Sequence, residues 1–148
     1  MRRSLLCVAV LLFVAFFATA ATMQAADTVW SALVMANNRP EPTPIPPELD
    51  RLQGTLKRFF NYNQYQVIGQ TRQTLATGDM DWQTSSKYFS LHADARPGTK
   101  GAYRLNLQLL QEEKLLLETE ANLSKRSPLV IRGPQVGDGQ LVLLLVVE

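Results

Sequence analysis

Cysteine and histidine each occur once, as Cys7 and His92, and neither sign of charge prevails. A single cysteine cannot close an intramolecular disulfide, and one cysteine with one histidine cannot assemble the usual ligand sets for zinc. Cys7 also lies within the apolar run Leu5 to Phe17, too early to be a lipid-attachment cysteine. Fifteen Lys and Arg face thirteen Asp and Glu, but Arg2 and Arg3 belong to a segment expected to be removed, which leaves the two signs equal. The chain therefore carries no basic surplus or Lys/Arg cluster of the kind that marks a nucleic-acid-binding protein.

What the first residues do have is the pattern of an export signal. Two arginines after Met1, an apolar run from Leu5 to Phe17, and small residues at Ala18 and Ala20 predict a secretory signal peptide over 1–20, cut after Ala20. The alternative is an uncleaved anchor, because Leu5 to Ala21 approaches the length of a membrane span. Twin-arginine export is disfavoured, since the residues that accompany the arginine pair in that signal are absent. The exported chain is expected to contain no thiol and to be held together by its core alone.

Five prolines between Pro40 and Pro47, in "RPEPTPIPPELD", predict an extended, semi-rigid spacer, because each proline fixes φ and removes a donor. Asp27 to Asn38, "DTVWSALVMANN", is mildly apolar and left open by the sequence, either packed on the domain or mobile. These readings divide the chain into a signal peptide (1–20), a flexible segment with a Pro-rich linker (21–47) and one domain (48–148).

"PPELDRLQGTLKRFF" places Leu49, Leu52, Leu56 and Phe59 or Phe60 on one stripe and predicts an amphipathic helix, with Pro46 and Pro47 tolerated at its start. The period then changes to two. Tyr65 and Val67 alternate with Gln64 and Gln66; Phe89, Leu91 and Ala93 with Tyr88, Ser90 and His92; Tyr103, Leu105, Leu107 and Leu109 with Arg104, Asn106 and Gln108. Such alternation belongs to half-buried antiparallel strands. "KLLLETEANLSK" has helical propensity, yet two strands turning at "QEEK" sort the leucines onto one face, with Leu115, Leu117, Thr119, Ala121 and Leu123 together.

At the end of the chain, "SPLVIR" and "QLVLLLVV" flank the glycine-rich "GPQVGDG", which predicts two strands and a turn. Leu141 to Val147 shows no alternation, the pattern of a strand buried on both faces or of a central strand whose second face is covered by the helix. The run is too short for a membrane crossing and lacks the spacer of a lipid-anchor tail. The fold class expected is α+β: one N-terminal amphipathic helix packed on an antiparallel sheet of about six strands, with a small β-sandwich as the alternative.

The exported start, with "FFNYNQYQVIGQ", "LLLETEANLSKRSPLVIRGP" and "GQLVLLLVV", resembles small exported bacterial proteins of unknown function over most of Leu52 to Glu148. The resemblance implies an envelope domain and brings no activity, cofactor or catalytic residue with it. The closing strand, Gly-rich turn and apolar strand are also similar to β-domains of secretin-type outer-membrane machinery, although the chain lacks the length for such a channel.

The candidate chemistry is sparse. His92 and Asp94 share a strand face and form a conceivable acid–base pair, without a nucleophile elbow or oxyanion hole. Asp79 and Asp81 in "TGDMDW" lack the further oxygen ligands of a calcium loop and read as a turn. "RGPQVGDG" leads into a strand and not a helix, which argues against phosphate binding. Asn122-Leu123-Ser124 is a glycosylation acceptor only in a eukaryotic secretory pathway. No catalytic residue, cofactor or metal ligand is nominated.

Tyr62 and Tyr65, flanked by Asn61, Asn63 and Gln64, are the candidate partner surface, because Tyr and Asn side chains suit adaptable recognition. Three functions are then open. The first is a non-enzymatic envelope protein acting as an accessory or interaction module, its partner an unidentified envelope protein and its only membrane contact an uncleaved signal. The second is a periplasmic binding or chaperone-like domain that pairs a sheet edge with a client strand. The third is a hydrolase using His92.

Overall fold

Two stretches without polar alternation, Thr28–Asn37 and Gly139–Val147, lie side by side at the centre of one sheet. A computed structural model of the chain describes residues 26–75, 79–99 and 101–148; the expected signal peptide, with Cys7, lies outside the described residues. In chain order the elements are β1 (Thr28–Asn37), a 3-10 turn (Pro47–Leu52) running into α1 (Gln53–Phe59), β2 (Gln64–Thr74), β3 (Met80–Ser85), β4 (Phe89–Pro97), β5 (Tyr103–Gln111), β6 (Lys114–Leu123), β7 (Leu129–Val136) and β8 (Gly139–Val147). All pairings are antiparallel, in a four-stranded sheet of order β2-β1-β8-β7 and a second of order β3-β4-β5-β6.

This overturns the α+β expectation of an N-terminal helix on a six-stranded sheet. The described residues are mostly β, with eight strands in two sheets, and their short helical segment follows the first strand. Two strands escaped the sequence reading for different reasons. Thr28–Asn37, placed by the sequence in the flexible segment 21–47, is β1; its apolar run is buried on both faces and has no period to read. Met80–Ser85 is β3, not part of a turn: Trp82 and Thr84 point inward against Asp81, Gln83 and Ser85, an alternation hidden by the turn-forming residues before it.

The sheets pack face to face. Val29, Leu33, Leu141, Leu143, Leu145 and Val147 from one meet Trp82, Leu91, Leu105, Leu107, Leu109 and Leu123 from the other. The other face of the first sheet presents Trp30, Ala32, Val34, Ala36, Val142 and Leu144, and on it lie Leu49, Leu52, Leu56 and Phe60. β8 is thus a central strand covered by the second sheet on one side and by the helix on the other, and Leu141 to Leu145 are fully buried. Among the described residues nothing covers the outer face of the second sheet in this way, and its side chains are polar except at the Leu110–Leu115 pair.

Bulges set which residues face in. β2 has one extra residue, Ile68, between the Leu33–Gly69 and Val34–Val67 pairs, and Ile68 packs on the inter-sheet core. At Gly69 a Cβ would lie 2.3 Å from the Ser85 carbonyl oxygen, so only glycine fits where β2 passes the end of β3. In β6 the register shifts so that Leu109 faces Leu117 while Leu110 faces Leu115. Leu116 and Leu117 both reach the core, and Leu115, assigned by alternation to the inward face, is about half exposed.

Candidate functional site

The cleft around the predicted partner surface begins with the proline stretch. Asn63 clamps its start: the Asn63 backbone N–H donates to Asn38 Oδ1 (2.9 Å), its Oδ1 accepts the Arg39 N–H (2.8 Å), and its Nδ2 donates to the Arg39 carbonyl (2.9 Å). Gln64 Oε1 accepts the Thr43 N–H at 3.2 Å. The prolines remove most local donors, so these few bonds, with Ile45 packed against the helix layer, lay the strap along the fold.

The helix end is finished by two distant side chains. Tyr65 Oη donates to the carbonyls of Leu56 (3.3 Å) and Phe60 (3.2 Å), and Arg132 of β7 donates to the Phe59 carbonyl at 2.9 Å. The Arg132 guanidinium also stacks over the Phe60 ring, 4.7 Å from its centroid. Burial pushes the Tyr65 phenol above its ordinary range.

The four predicted surface residues therefore divide. Tyr65 is core and Asn63 is a clamp; Asn61 is exposed and Tyr62 half-buried. All four line one cleft of about 470 Å³ between strap and helix, together with Ile45 and Lys57. Ile45 and Lys57 were not nominated from the sequence, because a spacer and a solvated helix face give no sign that they meet.

His92 projects from the outer face of the second sheet, opposite Gln83 and Gln108 on the neighbouring strands. Ser90, His92 and Asp94 alternate along β4 on that face, at a residue spacing of about 6.6 Å, and no hydrogen bond among the described residues joins His92 to either. Ser90 is instead bonded to Gln83 Nε2 (2.6 Å) and lies 3.1 Å from Ser85 Oγ. Asp81 is directly opposite Asp94, which continues across the sheet to Asn106 and Glu120. The next row is Arg96, Arg104 and Asn122. Among the described residues no group of three or more His, Cys, Asp or Glu could hold a metal, and no helix is long and apolar enough to cross a membrane. "GPQVG" belongs to β7 and the turn before β8, with Gly137 at φ 60°.

No protein-family model matches this chain, and neither a curated protein nor a solved structure matches it.

Proposed function

We propose that the chain is an exported, non-enzymatic envelope protein that serves as an interaction module and engages a partner protein at the cleft between the proline strap and α1. The observation that carries this reading is the composition of that cleft. Aliphatic and aromatic groups (Ile45, Phe60, Tyr62) alternate with polar ones (Gln53, Lys57, Asn61) in a cleft of about 470 Å³, the mixed aromatic and polar composition that suits a protein interface. A strap held by side chains of Asn63 and Gln64 is a rigid wall, and rigid walls lower the entropic cost of binding.

Client-strand pairing has less support, because three of the four edge strands are blunted and the fourth, β3, is only six residues long. β7 carries Pro134 and an irregular register between Arg132 and Gln135, β6 a bulge and the charges Glu118 and Glu120, and β2 a bulge beside Gly69. A hydrolase reading has less still, since among the described residues no hydrogen bond positions a nucleophile or an orienting carboxylate on His92.

A photo-reactive amino acid in place of Asn61 tests the proposal in the native envelope. A discrete adduct is expected from that position and not from Glu113 at the β5–β6 turn, and Tyr62→Ala should abolish it. Equal labelling at both positions overturns the cleft as the partner site. N-terminal sequencing of the exported form, expected to begin near Ala21, checks the export reading separately.

A further inference from the structure

The last turn of α1 carries cations that the fold does not use. Lys57, Arg58 and Phe59 are exposed in succession, and Phe59, at 57%, is the most exposed large apolar residue among the described residues. Successive helical residues point about 100° apart, so the three fan out from the cleft, which Lys57 lines, over the outside of the turn. Arg132 adds a third cation here through its bond to the Phe59 carbonyl and its place over the Phe60 ring, and Phe60 itself lines the cleft.

Basic residues at a helix end ordinarily have a structural use, since they bond the open carbonyls and meet the negative end of the dipole. Here those carbonyls have other partners. The Leu56 carbonyl accepts the Phe60 N–H at 2.8 Å and the Tyr65 hydroxyl, the Phe60 carbonyl accepts the same hydroxyl, and the Phe59 carbonyl accepts Arg132. The Lys57 and Arg58 side chains form no hydrogen bond among the described residues. Neither they nor Arg132 form an ion pair there: those present join Arg39 to Asp138, Arg72 to Glu148 and Lys125 to Asp27. One unpaired surface cation is ordinary, whereas three about an aromatic cleft make a local positive field without a counter-charge.

A partner that fits this field carries carboxylates. Lys57 is the one charged residue lining the cleft among the described residues, and Gln53 and Asn61 offer amide donors beside it. A carboxylate accepts hydrogen bonds and donates none, so it suits all three, whereas a basic segment would meet like charge at Lys57, Arg58 and Arg132. The guanidiniums of Arg58 and Arg132 match carboxylate geometry in addition. Ile45 and Tyr62 leave room in the cleft for an apolar flank. Lys57 lies between strap and helix, where a single extended chain can follow it; a bilayer plane would meet Arg58 and Phe59 and not the cleft.

We propose that the partner enters the cleft with an acidic segment, its carboxylates on Lys57, Arg58 and Arg132 and an adjoining apolar side chain against Tyr62; this rests on the reading of the cleft as the partner site. Photo-cross-linking from position 61 in the native envelope is carried out in the parent and in three double variants, and the partner peptide in the adduct is sequenced by mass spectrometry. Lys57→Glu/Arg58→Glu should lower the adduct yield by about tenfold. Lys57→Arg/Arg58→Lys keeps both charges and should stay within about twofold of the parent, as should Arg96→Glu/Arg104→Glu, which makes the same change in net charge on the second sheet. All these positions are exposed, and thermal unfolding of each variant is compared with the parent so that loss of fold is distinguished from loss of contact. The cross-linked peptide should be net negative, with Asp or Glu beside the linked position, and its composition tests the proposal independently of any variant. An adduct that survives the charge reversal, or whose peptide is basic or uncharged, overturns the acidic segment and leaves the cleft as the partner site. Absence of any adduct from position 61 overturns both. Sedimentation of the chain with phosphatidylglycerol vesicles that is lost in Lys57→Glu/Arg58→Glu would assign these cations to an anionic lipid surface and overturn the proposal.

Discussion

Trp82 Nε1 donates a hydrogen bond to Ser31 Oγ at 2.8 Å across the interior of the sandwich, joining β3 of one sheet to β1 of the other. Ser31 is fully buried, and Trp82 nearly so. A polar pair inside a core of leucines is stable only while both members are present, because an unpartnered buried donor or acceptor costs about 1–3 kcal/mol. Ser31→Ala and Trp82→Phe should each destabilise the domain, Trp82→Phe the more because it also loses packing. The double variant should cost less than the sum of the two, and urea unfolding of all four proteins measures that coupling. Strict additivity would show that the bond contributes nothing.

The closing strand carries apolar side chains on both faces, and the two directions can be tested apart. Leu143 faces the second sheet and Leu144 the helix layer, both fully buried. Leu143→Asp or Leu144→Asp should unfold the domain, because each loses about 1.5–3 kcal/mol of apolar burial and inserts an unpaired charge. Domain stabilities of about 5–15 kcal/mol leave little margin for this. Glu118→Lys, on the exposed face of β6, should barely move the thermal midpoint, since exposed charges contribute about 0–1 kcal/mol. Aspartate variants that melt with the parent would contradict the central position of β8.

Gly69→Ala places a methyl group against the Ser85 backbone, where no flexible side chain can yield. The bulge at Ile68 would have to relax and draw β2 away from β3. A lower thermal midpoint is expected, together with faster exchange of the amides of β2 and β3 than of β5. Gly54→Ala is the control: it has open space around it and is helical, so it should be neutral or stabilising.

The start of β1 is tied to the second sheet by a pH-sensitive contact. Tyr103 Oη donates to Asp27 Oδ2 at 2.6 Å, and Lys125 Nζ lies 3.1 Å from Asp27 Oδ1. The bond from Tyr103, with help from Lys125, holds the Asp27 carboxyl below its ordinary range, and burial together with the neighbouring carboxylate pushes the Tyr103 phenol up to about 12. A lowered carboxyl pKa stabilises the fold above the unfolded value near 3.8 and is lost as pH falls through the folded value. A raised phenol pKa stabilises it below about 10 and is lost as pH rises from there through about 12. Stability of the parent relative to Tyr103→Phe, measured by urea unfolding from pH 3 to 11.5, should show a plateau at neutral pH that declines at both ends. A difference independent of pH would contradict the linkage.

Much of the second sheet is legible from alternation alone, because each of its strands has one wet face. Leu105, Leu107 and Leu109 point inward on β5 as their spacing requires. Leu115 does not, since a bulge is a two-strand event and β6 by itself carries no mark of it. At the candidate site, aromatic and amide composition singled out four residues that line one cleft, without their local roles: Tyr65 is spent on helix carbonyls and Asn63 on the strap. Those bonds run to Leu56, Asn38 and Arg39, partners whose nearness follows from the path of the chain and not from local pattern.

By itself the sequence determined the inward faces of β4 and β5, the apolar stripe Leu49, Leu52 and Leu56, and a last strand covered on both sides. These follow from period and hydrophobicity, which act within a few residues. Only the tertiary structure decided that Thr28–Asn37 lies between β2 and β8, that Trp82 reaches Ser31, and that Arg96 stands opposite Arg104. The physical reason is that apolar burial is non-directional. It requires an unalternating strand to be covered, and leaves the choice of neighbour and register to shape, bulges and hydrogen bonds between segments far apart in the chain.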